Sequence, residues 1–246
     1  MAITLYDIAT RSNEAVSTNT MRTSLCLRFK GLDFKTEWIE LPDIERFSIE
    51  KGIAPTTTKP DGSPFYTLPA IYDPSTGTKL ADSWKIALYL DKTYPDTPRL
   101  VPEGTAALQR AFTDSVEGIF APGALFTLQG VHKNISPGGV ARYERNILER
   151  AGKPLEEVIP RGDEAASGWA KYQESLGKLD AWYATSDGPF LTGATPVWAD
   201  LIVGAMFVGQ RRLLGKEHDA RWEDVAGWHN GRWGKIVELL EERRII

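Results

Sequence analysis

The sequence has little cysteine, no excess of basic charge and no long apolar run. Cys26 is the single cysteine among 246 residues, so no disulfide can form within the chain. Basic residues number 29 against 33 acidic ones, which argues against a nucleic-acid partner. No run approaches the roughly 18 apolar residues of a membrane span, and the amino terminus lacks the pattern of a secretion signal. We therefore expect a cytoplasmic protein without a membrane partner.

Metal-binding and hydrolase motifs are also absent from the sequence. The three histidines, His132, His218 and His229, have none of the spacings of a metal-ligand set, so no metal is expected. Phosphate-loop, serine-hydrolase and zinc-protease motifs do not occur. The composition, 42% hydrophobic and 25% charged, is that of a globular protein with one large or two moderate domains.

Residues 1–95 alternate strand-like and helix-like patterns. Period-two alternation predicts the strands, and helix-forming stretches lie between and after them. In chain order the predicted elements are a strand at 3–8, a helix at 20–29, strands at 34–41, 66–72 and 78–80, and a helix at 83–91. A β-α-β unit followed by β-β-α is typical of a thioredoxin-like α/β domain.

From residue 105 to residue 246 the patterns are almost entirely helical. The intervening segment 94–104 holds three prolines and a glycine, which favours an extended linker. Helices are predicted at 106–120, 196–214 and 232–242, and helical stripes run through Val140, Tyr143, Ile147 and Leu148 and through Trp169, Leu176, Leu179, Trp182 and Tyr183. The second domain is therefore predicted to be all-α.

Pro69 interrupts a strand pattern, where proline lacks the N–H that a sheet ladder needs. A cis peptide between Leu68 and Pro69 would turn the backbone N–H and C=O of Leu68 outward, toward an extended peptide. An edge strand with a trans proline is the alternative.

Asp82 and Ser83 stand immediately before a predicted helix. The N–H and hydroxyl of Ser83, together with the helix dipole, favour an anion, whereas the Asp82 carboxylate favours an ammonium group. The pair suits an amino acid zwitterion. An ordinary helix cap is the alternative.

The TLPAI stretch, the hairpin after it and the Asp-Ser pair resemble the glutathione site of the glutathione transferases. The resemblance implies that Leu68, with Thr67 and Pro69 beside it, pairs with the cysteine backbone of glutathione. It also implies that Asp82 and Ser83 hold the γ-glutamyl end of glutathione.

The stretches STNTMRTSLCLRFKGLDFKTEWIELPDIE and PDGSPFYTLPAI resemble one branch of this family, the fungal glutathione transferases related to bacterial lignin β-etherases. In that branch a serine followed by Pro-Asn-Thr begins the first helix, and it maps onto Ser17. A hydroxyl at a helix N-terminus stabilises a thiolate, so Ser17 is the candidate catalytic residue. Thr18 replaces the usual proline, which leaves Asn19 and Thr20 as near alternatives, with Asn19 also a candidate glutathione contact.

Two other residues are rivals for the thiolate role. Tyr6 lies near the end of the first strand, where other transferase classes use a tyrosine, but it also fits a plain strand residue. Cys26 lies on the apolar side of the first helix and is predicted to be part of the core.

In the helical domain, the resemblance places a hydrophobic acceptor site near Phe112, Phe120 and Phe126, for which core packing is the alternative. Thr195 is predicted to cap the helix from Pro196, with Asp200 in a folding role.

The resemblance implies a homodimeric, serine-type glutathione transferase with glutathione as cosubstrate. It would act in detoxification, by conjugating glutathione to small hydrophobic or aromatic electrophiles or by reducing peroxides. The alternative is a weakly catalytic ligandin that binds polyphenol-like aromatic compounds. A protein that has lost glutathione binding fits less well, since Leu68-Pro69 and Asp82-Ser83 are both present.

Overall fold

The computed structural model describes residues 2–215 and 221–246. The chain divides into two compact units. The first comprises the chain up to Leu100 together with Asn134–Tyr143, and the second comprises Val101–Lys133 and the chain from Glu144 onward. The division after Leu100 falls inside the proline-containing segment 94–104.

The first unit is built on a four-stranded mixed sheet flanked by helices. In chain order its elements are β1 (Ile3–Ile8), α1 (Thr18–Phe29), β2 (Phe34–Ile39), α2 (Ile44–Lys51), β3 (Thr57–Thr58), β4 (Pro64–Phe65), β5 (Ala70–Asp73), β6 (Thr78–Ala81) and α3 (Ser83–Thr93). The strand order is β2-β1-β5-β6, in which β1 and β2 are parallel and the other pairs are antiparallel. This arrangement is thioredoxin-like.

A buried ion pair ties α1 to α3 inside the first unit. The Lys30 Nζ lies 2.8 Å from the Asp91 Oδ1, and both side chains are almost fully buried. Lys30 also donates to the carbonyl of Pro98, and Asp91 accepts from the N–H of Leu100. Since a buried charge is tolerated only when it is paired, these bonds fix the two helices and the start of the linker together.

Helix α2 and the small hairpin of β3 and β4 were not predicted from the sequence, and the third strand of the main sheet begins later than predicted. Helix α2 spans only Ile44–Lys51, too short for a clear helical period, and Gly52 ends it in the left-handed conformation with φ 67°. Strand β5 starts at Ala70 and not at Tyr66. The cis peptide bond before Pro69 places the preceding residues outside the sheet ladder.

The second unit is helical. Its helices are α4 (Ala106–Asn134), α5 (Val140–Ala151), α6 (Leu155–Val158), α7 (Gly162–Tyr183), α8 (Trp198–Leu213) and α9 (Trp222–Glu242), with the end of α4 and the first turn of α5 counted in the first unit. Helix α8 is buried along almost its whole length, so it forms the centre of this core. Within the described ranges, none of the helices has both the length and the apolarity to cross a membrane.

Several predicted helix boundaries were wrong. Helix α4 does not stop at Phe120 but continues through Pro122 to Asn134. Helix α9 is interrupted by non-helical backbone at residues 228–231, so the predicted helix at 232–242 matches its second part, and the first part from Trp222 was not predicted. Two members of the predicted stripes are exposed, Leu148 by 50% and Trp182 by 38%. Apolar periodicity detects a helix but does not fix its ends.

Asp200 anchors the start of α8. Its Oδ2 accepts the N–H of Val197 at 3.0 Å, and its Oδ1 accepts the N–H of Leu191 at 2.9 Å and the hydroxyl of Tyr183 at 3.0 Å. Burial raises the pKa of Asp200 to about 6. The predicted cap at Thr195 was wrong, because the helix begins at Trp198 and this carboxylate binds the N–H just before it. These bonds support a folding role for Asp200.

Candidate functional site

Ser17 is the residue that caps the N-terminus of α1. Its backbone is extended, with φ −86° and ψ 120°, and its Oγ accepts the N–H of Thr20 at 3.5 Å. The cap uses the oxygen of the hydroxyl, so the proton is left to donate outward. Ser17 is half-buried, at the end of α1 where unsatisfied N–H groups favour a negative charge. The site suits a thiolate.

The loop between β1 and Ser17 is held by its own bonds and by the segment that follows α4. The Thr10 hydroxyl donates to the carbonyl of Glu14 and accepts its N–H. The N–H of Arg11 donates to the carbonyl of Asn134, and the N–H of Ser136 donates to the carbonyl of Ala9. These bonds fix the start of the path from β1 to Ser17.

The near alternatives to Ser17 have different surroundings. Asn19 is exposed on the first turn of α1. Thr20 is fully buried, and its hydroxyl donates to the carbonyl of Ser17 at 2.9 Å. Since a threonine hydroxyl has a single proton, Thr20 has none left for a ligand thiolate.

Tyr6 lies in the core of the first unit. Its side chain is 5% exposed and its ring meets that of Phe47 edge-on, with centroids 4.9 Å apart. Burial raises the pKa of the Tyr6 hydroxyl. Packing therefore accounts for Tyr6.

Cys26 lies fully buried within α1, and burial raises the pKa of its thiol. A thiol that is neutral and shielded from solvent does not act as a nucleophile.

We expect iodoacetamide to leave Cys26 unmodified in the folded protein at pH 8, because alkylation requires an accessible thiolate. Mass spectrometry should show one added carbamidomethyl group per chain only after unfolding in denaturant. Modification of the folded protein at the rate of the unfolded control would contradict this account.

The peptide bond between Leu68 and Pro69 is cis, immediately before β5. Leu68 is buried, with 6% of the whole residue exposed. Within the described residues, neither the N–H nor the C=O of Leu68 is bonded to the rest of the protein. The carbonyl of Pro69 instead accepts the N–H of Asp82 at 3.2 Å. The backbone of Leu68 is therefore available to an extended peptide.

Asp82 is the N-cap of α3. Its φ of 85° lies in the left-handed region that non-glycine residues rarely adopt, and such strain is typical of functional sites. The Oδ1 atom accepts the N–H groups of Trp84 at 2.9 Å and Lys85 at 3.1 Å. The Oδ2 atom takes no part in this cap, and the N–H of Ser83 lies at the positive end of the α3 dipole. The Oδ2 of Asp82 and the N-terminus of α3 thus lie side by side, as one negative and one positive group.

The sheet brings these three segments to the same end of the first unit. Strand β5 is antiparallel to β1, with Ala70 opposite Tyr6, and antiparallel to β6, with Ala70 opposite Ala81. The carboxyl ends of β1 and β6 therefore adjoin the amino end of β5. Ser17 follows the carboxyl end of β1, and Asp82 follows the carboxyl end of β6. The cis Leu68-Pro69 bond precedes the amino end of β5.

Thr56 is a site residue that was not predicted, and its hydroxyl lies 3.0 Å from that of Thr67. Thr56 is the first of three consecutive threonines, so composition offers no signal that distinguishes it from Thr57 and Thr58. This contact joins Thr67, the neighbour of Leu68, to the residue that precedes β3.

The three candidate phenylalanines all lie on α4. The Phe112 ring is partly exposed, 5.6 Å from that of Trp182. Phe120 and Phe126 are buried, and they pack against aromatic rings of the helical unit. Phe120 contacts Tyr172 and Phe207, and Phe126 contacts Trp169.

In the part of the chain that the structure describes, no histidine, cysteine and carboxylate side chains group into a set that could hold a metal ion. His218, one of the three histidines considered in the sequence, lies outside the described residues.

A thioredoxin-like unit with a cis-proline peptide site, joined to a helical unit, defines a class of glutathione-binding enzymes. The chain matches two domains of that class, the N-terminal domain of glutathione S-transferase over residues 16–93 and its C-terminal domain over residues 107–242. The chain therefore belongs to the glutathione S-transferase family.

Solved structures and a curated relative agree with this assignment. A glutathione S-transferase of Ceriporiopsis subvermispora, CsGST63524, in complex with glutathione, is 37% identical with a TM-score of 0.92, over 100% of this chain and 99% of that one. Glutathione transferase GSTFuA3 of Phanerochaete chrysosporium is 34% identical with a TM-score of 0.91, over 99% and 97%. The glutathione S-transferase-like protein ustS of Aspergillus flavus is 28% identical, over 94% of this chain and 87% of its own length. The predicted fold class is confirmed.

Proposed function

We propose that this protein is a serine-type glutathione transferase of the fungal branch related to bacterial lignin β-etherases. The observation that carries the proposal is the convergence of the α1 N-terminus with Ser17, the open backbone of Leu68 and the Asp82-Ser83 pair at one end of the sheet. A solved relative of 37% identity is in complex with glutathione. A cytoplasmic homodimer is part of the proposal.

In the proposed complex, glutathione lies extended across this end of the sheet. Its cysteine backbone pairs with the N–H and C=O of Leu68, between Thr67 and Pro69. The γ-glutamyl carboxylate lies at the N–H of Ser83, and the γ-glutamyl ammonium binds the Oδ2 of Asp82. Two opposite charges at fixed positions select a zwitterion in one orientation.

The thiol of the bound glutathione would then meet the N-terminus of α1. The Ser17 hydroxyl donates a hydrogen bond to the sulfur, and the helix dipole favours its negative charge, so the proton leaves to solvent. The thiolate attacks an electrophilic carbon and forms a C–S bond. An aryl halide loses its halide with the bonding electrons, whereas an isothiocyanate loses no atom and its nitrogen takes up a proton. With a hydroperoxide, the sulfur takes the terminal oxygen and an alcohol leaves, and a second glutathione converts the sulfenic acid to disulfide and water.

The second substrate is proposed to be a small hydrophobic or aromatic electrophile. The hydrophobic site of the proposal includes Phe112, which is half-exposed on α4, and Phe120 and Phe126, which are buried on the same helix. The alternative function, carriage of polyphenol-like ligands with little turnover, is favoured by the aromatic cluster around Trp169 and Trp228, whose ring centroids are 5.0 Å apart.

The first test is glutathione-dependent turnover of an aryl halide, an isothiocyanate and a hydroperoxide, alongside calorimetric titration with glutathione. Turnover of any of the three with measurable glutathione affinity would support the transferase. Glutathione affinity without turnover, together with binding of a polyphenol, would favour the ligandin. Absence of glutathione binding would refute both.

A further inference from the structure

Two threonine hydroxyls meet beside the cis-proline segment. The Oγ1 atoms of Thr56 and Thr67 lie 3.0 Å apart, which is a hydrogen bond that either residue could donate. Thr56 also contacts Phe65 twice, since its Oγ1 donates to the Phe65 carbonyl at 3.1 Å and its N–H donates to the same carbonyl at 3.0 Å. Thr56 thus bridges the two sides of the β3–β4 hairpin.

The number of protons favours one direction for the hydrogen bond between the two hydroxyls. A threonine hydroxyl has one proton and two lone pairs. The carbonyl of Phe65, 3.1 Å from the Thr56 Oγ1, can only accept, whereas Thr67 can donate. Both contacts of Thr56 are hydrogen bonds only when Thr56 donates to Phe65 and Thr67 donates to Thr56, and the Thr67 oxygen then keeps a lone pair but no proton for a ligand.

With this direction, the Thr67 hydroxyl can only accept a hydrogen bond from a ligand that lies against the backbone of Leu68. A hydroxyl that can only accept binds an N–H group, and it disfavours a carboxylate or carbonyl oxygen. Glutathione carries such N–H donors in its amides and its ammonium group.

We infer that Thr56 is a positioning residue that fixes Thr67 as a hydrogen-bond acceptor for an N–H group of glutathione. The inference rests on the proposed function, because it assumes that glutathione occupies this end of the sheet. It adds a residue outside the predicted site and a direction for the contact that Thr67 makes.

The test is a double-mutant cycle of Thr56→Val and Thr67→Val, read out as the glutathione Kd by calorimetry and as KM and kcat. Valine keeps the shape and strand propensity of threonine, and the N–H of Thr56 still binds Phe65. We expect Thr56→Val to raise the Kd and KM for glutathione about five- to tenfold with kcat unchanged, the size of one lost hydrogen bond. The double variant should be no weaker than Thr67→Val alone, because the two residues act through one contact.

Two further variants distinguish positioning from general loosening of the hairpin. Thr56→Ser keeps the hydroxyl and should bind glutathione with the wild-type Kd. Thr58→Val changes an exposed threonine of the same hairpin and should leave the Kd unchanged. Thermal unfolding of each variant establishes that it is folded. If Thr56→Val does not fold, the glutathione Kd of Thr67→Val compared with that of Thr56→Ser tests the inference.

A wild-type Kd in Thr56→Val or in Thr67→Val would overturn the inference and leave the proposed function standing. Equal losses in Thr56→Val and Thr58→Val would overturn it as well. A wild-type protein that does not bind glutathione would overturn the proposed function, and this inference with it.

Discussion

Replacing Ser17 by alanine is expected to lower glutathione-dependent turnover at pH 7 by up to about 25-fold. If the hydroxyl and the helix terminus together lower the glutathione thiol pKa from about 8.5 to about 6.5, loss of the whole shift would reduce the ionised fraction at pH 7 from roughly 75% to roughly 3%, and the part that the helix terminus supplies remains in the variant. Ser17 also caps α1, so a loss of about 1 kcal/mol in unfolding free energy should accompany the change. The glutathione Kd at pH 7 should rise by no more than about fourfold, because only the thiolate contact weakens while Leu68, Asp82 and Ser83 remain.

The pH dependence identifies the cause of this loss. In Ser17→Ala the midpoint of the pH–rate profile should move from about 6.5 toward about 8.5, so the activity gap narrows above pH 9. Ser17→Thr keeps both the cap and the donor and serves as the conservative control. Tyr6→Phe keeps the ring against Phe47 and should retain wild-type turnover. Full activity of Ser17→Ala together with an inactive Tyr6→Phe would transfer the donor role to Tyr6.

Replacing Asp200 by alanine is expected to lower the free energy of unfolding by about 3 to 5 kcal/mol. The buried carboxylate accepts from Leu191, Val197 and Tyr183, and alanine would leave all three donors without it. Chemical denaturation at pH 7 measures the loss. Asp187→Ala, which alters an exposed carboxylate in the same stretch of chain, should shift the unfolding free energy by less than about 0.5 kcal/mol. Equal effects of the two variants would contradict the anchoring role.

Protonation of Asp200 should give a distinct pH signature. Its folded-state pKa of about 6 is raised above the ordinary value of 3.8 by burial, so the folded protein holds this proton more tightly than the unfolded chain does. This contribution to stability is fully present below about pH 4 and is lost as the pH rises to about 6. The stability of wild type relative to Asp200→Asn, which does not titrate, should therefore fall across that window. A constant difference between the two proteins would refute the raised pKa.

Features that depend on a few neighbouring residues could be predicted from the sequence. Strand and helix periodicity indicated the thioredoxin-like domain and the helical domain, since each element carries its own apolar pattern. Proline within a strand pattern and an Asp-Ser pair before a helix marked two parts of the candidate site, because backbone geometry and helix capping are local effects. The cap of α8 was misplaced because Asp200 reaches back to a residue that precedes the helix.

Features that join distant parts of the chain depend on the tertiary structure and could not be predicted from local patterns. The pairing of β5 with both β1 and β6 places the segments of Ser17, Leu68 and Asp82 at one end of a sheet, although 65 positions separate the first from the last. Burial beside Phe47 accounts for Tyr6 through packing, which strand periodicity alone left open. The direction of the bond from Thr67 to Thr56 depends on a third group, the carbonyl of Phe65, placed by a hairpin that the sequence did not reveal. Residue type sets which groups are present, whereas packing alone sets which of them meet and in which direction each hydrogen bond runs.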